Sequence, residues 1–308
     1  MLASVALLAV LSLSASAQPM KPMCAIDMGS NSFRRIVGSF EKGRYEQRRI
    51  DVVTMGVGDD LARHGRISDA KLVEIEKQLA AFKRACEKEA AAPVKAVGTA
   101  AFRDAPNGTR VVELANKLGI AMEIATERRE SELAYLVGAL DKDGYAVVDN
   151  GSRSIELVSR ERGMTRYAVF NLGYRVAYDT FFARAGNAAQ ATLEFRARLA
   201  KEVTRAPFMK GKRGFVAVEF AEMADVFFPS SDRGPRMFTL AQLQQKLREV
   251  TALSATGFKA LKARKDIDRA LPRLVVSVFL LEEFGYSQLE LTDRELGAGL
   301  IIEAGITR

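Results

Sequence analysis

Two four-residue segments with the pattern Asp-x-Gly-Ser are the first candidates for chemistry in this sequence. They are Asp27-Met28-Gly29-Ser30 and Asp149-Asn150-Gly151-Ser152, and each lies between two apolar runs. Glycine lets the backbone approach an anion closely, while consecutive N–H groups and serine hydroxyls donate hydrogen bonds to it. An aspartate beside that anion can hold the cation that a phosphate needs for neutralisation. The pair predicts two phosphate-binding turns, and an ordinary hairpin turn is the alternative reading of the first segment.

A glutamate between the two segments is a candidate base. Residues 127–140 have a helical pattern, and Glu130 lies near its amino end, where the two halves of the chain would meet. A carboxylate there can accept a proton from water that attacks a terminal phosphorus. The alternative is a surface glutamate, which the helix dipole favours in a first turn.

The elements around these residues predict two related α/β domains. The first half has the order β-β-β-α-β-α-β, with strands over residues 23–26, 33–40, 44–53, 94–98 and 121–125. This order is typical of the ribonuclease-H-like domain of the actin, sugar kinase and Hsp70 superfamily, in which two such domains enclose a phosphate-binding cleft. The second segment repeats the strand–Asp–turn–strand theme, so a second domain of this type is expected. The predicted ranges are 18–126 and 127–308, with the last helix packing back on the first domain.

Other segments are interpreted as scaffold. Residues 54–68 are predicted to be a glycine-punctuated loop, and its histidine, His64, receives no chemical role. Ser68 is predicted to cap the following helix, and Thr239 and Gln242 to form a capping box. A further apolar helix is expected to begin at Pro272.

Composition limits the partners. The 308 residues carry 46 basic and 38 acidic side chains, and this net charge of +8 favours polyanionic ligands. The chain contains no Trp and lacks basic patches interleaved with aromatic residues, so nucleic acid is not the expected partner.

The amino terminus resembles a secretory signal. Residues 1–17 contain no charged side chain and end in Ala15-Ser16-Ala17, an A-x-A cleavage pattern. The apolar run is too short to span a bilayer, so no stable membrane insertion is expected after removal of the signal. A periplasmic or secreted location is predicted, and the missing basic residue at the start leaves a cytoplasmic protein with an over-extended start as the alternative.

Only two cysteines, Cys24 and Cys86, are present. One pair can bridge in an oxidising compartment, but Cys24 falls in an apolar strand, where a buried thiol is the expected state.

Several motifs in the same order resemble the exopolyphosphatase and guanosine pentaphosphate phosphatase (Ppx/GppA) family in its short form. Residues 25–33 (A-I-D-M-G-S-N-S-F) resemble its A-I-D-L-G-S-N-S-F, and residues 98–108 (G-T-A-A-F-R-D-A-P-N-G) its A-T-S-A-L-R-E-A-x-N-G. Residues 130–135 resemble E-A-x-L-x-Y, residues 149–158 stand where the family has D-I-G-G-G-S-T-E-L-V, and residues 291–300 resemble V-S-D-R-G-L-R-E-G-L. The resemblance covers about residues 23–303.

The resemblance, together with the residue chemistry above, implies a set of roles. Glu130 is the expected base, and the expected Mg²⁺ ligands are Asp27, Asp149 and Glu156. The expected phosphate-binding residues are Gly29, Ser30, Asn31, Ser32, Arg103, Gly151, Ser152, Arg153 and Ser154. The implied activity is release of terminal orthophosphate from polyphosphate, with guanosine pentaphosphate as a further substrate. Family members are frequently homodimers.

Departures from the family pattern weaken the enzyme hypothesis. Ser152 and Arg153 replace two glycines, and one extra residue before Gly138 lets Ser131 take the position of Glu130 in a gapless alignment. The family's Gly-Thr-Ala segment is not recognisable in residues 217–221, and residues 297–298 are Gly-Ala where the family has Arg-Glu. An exported polyphosphate- or phosphate-binding protein without turnover is therefore the alternative. A sugar-kinase relative is disfavoured because the motifs match the hydrolase branch.

Overall fold

A computed structural model describes residues 21–229 and 236–307. The predicted secretory signal, residues 1–17, lies outside the described residues. The structure contains two mixed α/β lobes, each built on one sheet.

The first lobe contains five strands in the order β3-β2-β1-β4-β5. The strands are Met23–Met28 (β1), Ser32–Glu41 (β2), Arg44–Thr54 (β3), Val94–Gly98 (β4) and Ala121–Ile124 (β5). The helices are Val57–His64 (α1), Asp69–Lys88 (α2), Ala100–Asp104 (α3) and Thr109–Lys117 (α4). One apolar face of α2 packs on the sheet, and the predicted Ser68 cap accepts a hydrogen bond from Lys71 N at 3.2 Å.

The second lobe contains six strands in the order β10-β11-β9-β6-β7-β8. The strands are Tyr145–Asn150 (β6), Ile155–Glu161 (β7), Met164–Phe170 (β8), Gly214–Val218 (β9), Arg236–Thr239 (β10) and Gln288–Leu291 (β11). The helices from the lobe junction onward are Glu127–Ala139 (α5), Tyr174–Ala177 (α6), Ala188–Val203 (α7), Ala221–Phe227 (α8), Leu240–Thr251 (α9), Ala255–Lys262 (α10), Ile267–Phe284 (α11) and Ala298–Ile306 (α12). Two short turns of other helix types cover Tyr178–Phe182 and Pro207–Met209. The capping box at the start of α9 is confirmed.

The two sheets share one topology, which confirms the predicted duplication of the fold. In the first lobe β1 pairs antiparallel with β2 and parallel with β4, which in turn pairs parallel with β5. In the second lobe β6 pairs antiparallel with β7 and parallel with β9, which in turn pairs parallel with β11. The carboxyl ends of β1 and β6 therefore occupy equivalent places, which is where open α/β sheets bind ligands.

Two helices lie between the lobes. Helix α5 packs on β6 and β7 of the second sheet, helix α12 packs on β2 of the first, and the two helices contact each other. They meet at Gly299, where a Cβ atom would lie 3.0 Å from the carbonyl oxygen of Leu133. A side chain here would push the two helices apart, so glycine favours this close crossing. No helix in the described ranges is both long and apolar enough to cross a membrane.

Two element predictions are wrong. The predicted loop 54–68 contains helix α1, because Gly56 and Gly65 adopt left-handed conformations that begin and end it while Val57 and Leu61 are buried. Helix α11 begins at Ile267 rather than at Pro272, which lies inside it. Burial of the residues in that first turn outweighs the one backbone hydrogen bond that proline cannot donate.

The expectation of a buried free thiol is also wrong. Cys24 of β1 and Cys86 at the end of α2 form a disulfide with their Cα atoms 5.9 Å apart. Side chains at alternate positions of β1 face α2, so Cys24 points at the last turn of that helix. Both cysteines are fully buried.

Candidate active site

The two Asp-x-Gly-Ser turns face one cleft between the lobes. Asp27 and Asp149 are the penultimate residues of β1 and β6, and both are buried. The cleft holds about 560 Å³ of empty space, the open solvent at its mouth included. The predicted site residues that line it are Asp27, Gly29, Ser30, Asn31, Ser32, Glu130, Asp149, Gly151, Ser152, Arg153 and Ser154. Of the predicted set, Arg103 and Glu156 lie outside the cleft lining.

Backbone hydrogen bonds to the start of α1 hold the first turn. Gly29 N donates to Ser32 O at 3.0 Å and closes the turn. Asn31 O accepts from Gly56 N at 2.9 Å, and Ser30 O accepts from Gly58 N at 2.7 Å. The α1 segment that was predicted as a loop therefore supports the first turn from behind.

The second turn is supported in the same way by the start of α6. Gly151 O accepts from Tyr174 N at 2.9 Å, and Arg153 O accepts from Gly173 N at 3.0 Å. The Arg153 side chain reaches across the cleft and lies 3.1 Å from a carboxylate oxygen of Asp104 in the first lobe. Arg153, which stands where the family has a glycine, thus places a positive charge at the mouth of the cleft.

Glu130, and not Ser131, is the residue that α5 directs into the cleft. Ser131 is fully buried and does not line it. Glu130 accepts a hydrogen bond from Arg103 Nη1 at 2.9 Å, and the same nitrogen donates to Ala125 O at 2.9 Å. Burial raises the pKa of Glu130, and the attraction of Arg103 only partly offsets this rise. Arg103, expected to bind phosphate, is engaged in holding Glu130.

Asp149 and Glu156 form a pair of adjacent carboxylates. They are direct partners on β6 and β7, so their side chains lie on one face of the sheet. Asp149 Oδ1 and Glu156 Oε1 are buried and accept no hydrogen bond within the described part of the chain. Burial raises the pKa of both groups well above the usual range, and nearby carboxylates raise it further. Such oxygens have the chemistry of cation ligands.

The donor set is compatible with Mg²⁺. Among the described residues, no three carboxylate, histidine or cysteine side chains are arranged as a complete metal cage. Mg²⁺ characteristically takes one or two protein carboxylates and keeps water and phosphate oxygens as its other ligands. Asp149 and, from the opposite lobe, Asp27 line the cleft and meet that requirement, whereas Glu156 lies behind the lining next to Asp149.

The structure contains a cluster of charged side chains at the base of the cleft that the sequence does not predict. Arg34 lies 3.5 Å from Asp27 Oδ2, 3.6 Å from Glu219 Oε1 and 3.1 Å from Glu295 Oε2. Burial raises the pKa of Asp27 to about 7 and that of Glu295 to about 8, although Arg34 lowers both. Glu219 has a φ of 62°, a left-handed conformation that is unusual for a side chain of this kind.

A sequence signal for part of this cluster did exist. Glu219 follows the apolar strand β9, which is the strand–acid pattern that singled out Asp27 and Asp149. Glu295 and Arg34 carry no such signal, because their approach depends on how the two lobes meet. The cleft is also lined by Thr99, Tyr174, Glu222 and Arg273, which no motif in the sequence marks as site residues.

Two sheets of one topology around a cleft with acid-tipped turns define an actin-like fold of two ribonuclease-H-like domains. The model of the Ppx/GppA phosphatase family matches residues 47–301, so the chain belongs to this family. A family member from Aquifex aeolicus superposes with a TM-score of 0.79 at 20% identity, over 93% of this chain and 98% of that chain. An exopolyphosphatase from Cytophaga hutchinsonii gives 0.76 at 14% identity, over 93% and 98% of the respective chains. No curated protein sequence matches the chain.

Proposed function

We propose that this protein is a magnesium-dependent phosphohydrolase that releases terminal orthophosphate from linear polyphosphate. The observation that carries the proposal is the meeting of Asp27, Glu130 and Asp149 at one cleft between the lobes. Phosphoryl transfer needs mainly alignment and charge neutralisation, so two facing turns and one base are sufficient machinery. Guanosine pentaphosphate carries the same terminal phosphoanhydride and is a second substrate to test.

The chain's own residues have distinct tasks in this reaction. The two turns bind and orient the terminal phosphate, and Glu130 takes the proton of the attacking water. Because burial raises its pKa, the Glu130 carboxylate is a stronger base than an exposed one. Arg103 holds that carboxylate in place through the 2.9 Å contact. Asp27 and Asp149 would hold Mg²⁺, with Glu156 beside Asp149 as its strand partner, and the bound cation would supply neutralisation of the phosphate oxygens.

The test is phosphate release from polyphosphate by the mature protein and by Glu130→Gln. Loss of a positioned base should lower kcat by roughly 10²- to 10⁴-fold. Glu127→Gln is the matched control, because Glu127 is exposed in the same helical turn and does not line the cleft. Absence of phosphate release by the unmodified protein with Mg²⁺ present would refute the proposal, as would full activity in Glu130→Gln.

A binding protein without turnover is the second candidate function. It is favoured by Ser152 and Arg153, whose side chains line the cleft in the second turn, where the family has two glycines. This candidate expects salt-sensitive binding of polyphosphate with no release of orthophosphate. Binding measured by calorimetry alongside the activity assay separates the two functions.

We also propose that the protein is exported. The signal pattern in residues 1–17 motivates this proposal, and the disulfide suits an oxidising compartment. Fractionation of the source cells with mass spectrometry of the mature amino terminus is the test. A full-length chain that retains Met1 and is found in the cytoplasm would contradict it.

A further inference from the structure

Arg273 is a buried cation beneath the second turn. It projects from α11, only 1% of its surface is exposed, and it reaches the floor of the cleft. Its Nε and Nη2 atoms donate to the carbonyl oxygen of Asn150 at 3.3 and 2.9 Å. Asn150 is the residue between Asp149 and Gly151, so the guanidinium is hydrogen-bonded to the backbone of the turn itself.

The surroundings of Arg273 hold the guanidinium in one orientation. Its Nη1 donates to Glu222 at 2.5 Å, and the other oxygen of Glu222 accepts from Arg269 at 2.9 Å. The guanidinium also lies 4.6 Å from the centre of the Tyr174 ring and 5.6 Å from that of Phe220. A planar guanidinium that is held by a carboxylate and two aromatic rings can fix the position of the carbonyl group to which it donates.

The second turn needs such support. The Asp149 oxygen Oδ1 accepts no hydrogen bond in the described structure, and neither amide atom of the Asn150 side chain has a partner. The orientation of the Asp149 carboxylate therefore depends on the backbone on which it is carried.

We propose that Arg273 is a positioning residue that fixes the backbone after Asp149 and so orients this carboxylate toward the cation and phosphate. The proposal rests on the proposed function for its activity readout, but not for its binding readout. The competing explanation is that Arg273 only fills and stabilises the core of the second lobe. Loss of a residue that orients a metal ligand typically costs 10- to 100-fold in metal affinity or activity.

The experiment compares Arg273→Met, Arg273→Lys and a matched control in the full mature protein. Arg196→Met is the control, because Arg196 pairs with Glu282 of α11, stacks 5.4 Å from the Phe279 ring and does not line the cleft. Each variant is assayed for the Mg²⁺ concentration at half-maximal activity, kcat and KM with polyphosphate, and affinity for tripolyphosphate with Mg²⁺ by calorimetry. Thermal unfolding of each variant measures the loss of stability separately.

For Arg273→Met we expect a 10- to 100-fold rise in the half-maximal Mg²⁺ concentration and a similar loss of tripolyphosphate affinity. Arg273→Lys should recover part of both, since an ammonium can still donate to the Asn150 carbonyl. If Arg273→Met does not fold, the double variant Arg273→Met/Glu222→Gln, which removes the buried guanidinium together with the partly exposed carboxylate paired with it, replaces it. The proposal is overturned if Arg273→Met changes the Mg²⁺ dependence and binding no more than Arg196→Met does.

The binding measurement keeps this proposal separate from the proposed function. If the unmodified protein binds tripolyphosphate but does not hydrolyse it, the hydrolase proposal fails while the positioning role is still tested. A weakened affinity in Arg273→Met alone then supports the role, and equal affinities in all variants refute it.

Discussion

The disulfide between Cys24 and Cys86 provides a quantitative prediction. The bond joins residues 62 positions apart, so it restricts a long loop of the unfolded chain. The chain-entropy relation for a loop of that length gives about 14 cal/mol/K, or about 4 kcal/mol at 25 °C. We therefore expect the free energy of unfolding to be about 4 kcal/mol lower in Cys24→Ala/Cys86→Ala.

Urea denaturation with and without a thiol reductant is the assay. The mature protein should lose stability when reductant is present, whereas the double alanine variant should be insensitive to it. Thiol titration of the denatured, unreduced protein should detect no free thiol. Two titratable thiols, or identical unfolding midpoints with and without reductant, would refute the prediction. Either result would show that no disulfide stabilises the folded protein.

Two further predictions concern stability. Gly173→Ala would place a Cβ atom 2.4 Å from the backbone nitrogen of Ser154, so we expect a loss of about 1–3 kcal/mol in thermal unfolding and a fall in phosphate release. The control is Gly186→Ala, where nothing lies within 4 Å, and equal effects in both variants would refute the steric reasoning. Burial tends to raise the pKa of Asp60, but hydrogen bonds from the amide and hydroxyl of Ser68 outweigh this and lower it. Because the folded pKa is the lower one, this stabilisation is present above the unfolded pKa and is lost as the pH falls below about 4. Asp60→Asn should cost about 1.5–3 kcal/mol at pH 7 and flatten the fall in stability between pH 5 and 3, and an unchanged acid profile would contradict the assignment.

The turns could be predicted from sequence because their signals are local. An apolar strand, an acid and a glycine within a few residues specify a hairpin at residues 27–33 and another at residues 149–155, whatever the rest of the chain does. Helix α1 was missed because its glycines were interpreted as loop residues, although two glycines with positive φ can equally well bracket a short helix. The start of α11 was misplaced because the packing of its first turn outweighs the local preference of Pro272.

The remaining site residues depend on contacts between distant segments. Arg34 meets Glu219 and Glu295 only because the lobes close on each other, and no spacing along the chain encodes that approach. Arg273 belongs to an apolar helix, and on sequence spacing its neighbours indicate a core position. Its partner is a backbone carbonyl, which has no side-chain signature. The sequence therefore predicts the acids of the turns, Asp27 and Asp149, but not Arg34 and Arg273, the cations that contact these turns.

The crossing of α5 and α12 at Gly299 has a consequence for how widely the cleft can open. At this crossing, the helix that packs on the first sheet lies directly against the helix that packs on the second sheet. Opening the cleft would separate the partly exposed Arg153–Asp104 pair at the rim, which contributes about 0–1 kcal/mol. It would also separate Arg34 from Glu219 and Glu295 at the base of the cleft. Salt screens the exposed pair far more than the buried contacts, so the Arg34 cluster is the larger electrostatic restraint on opening of the cleft.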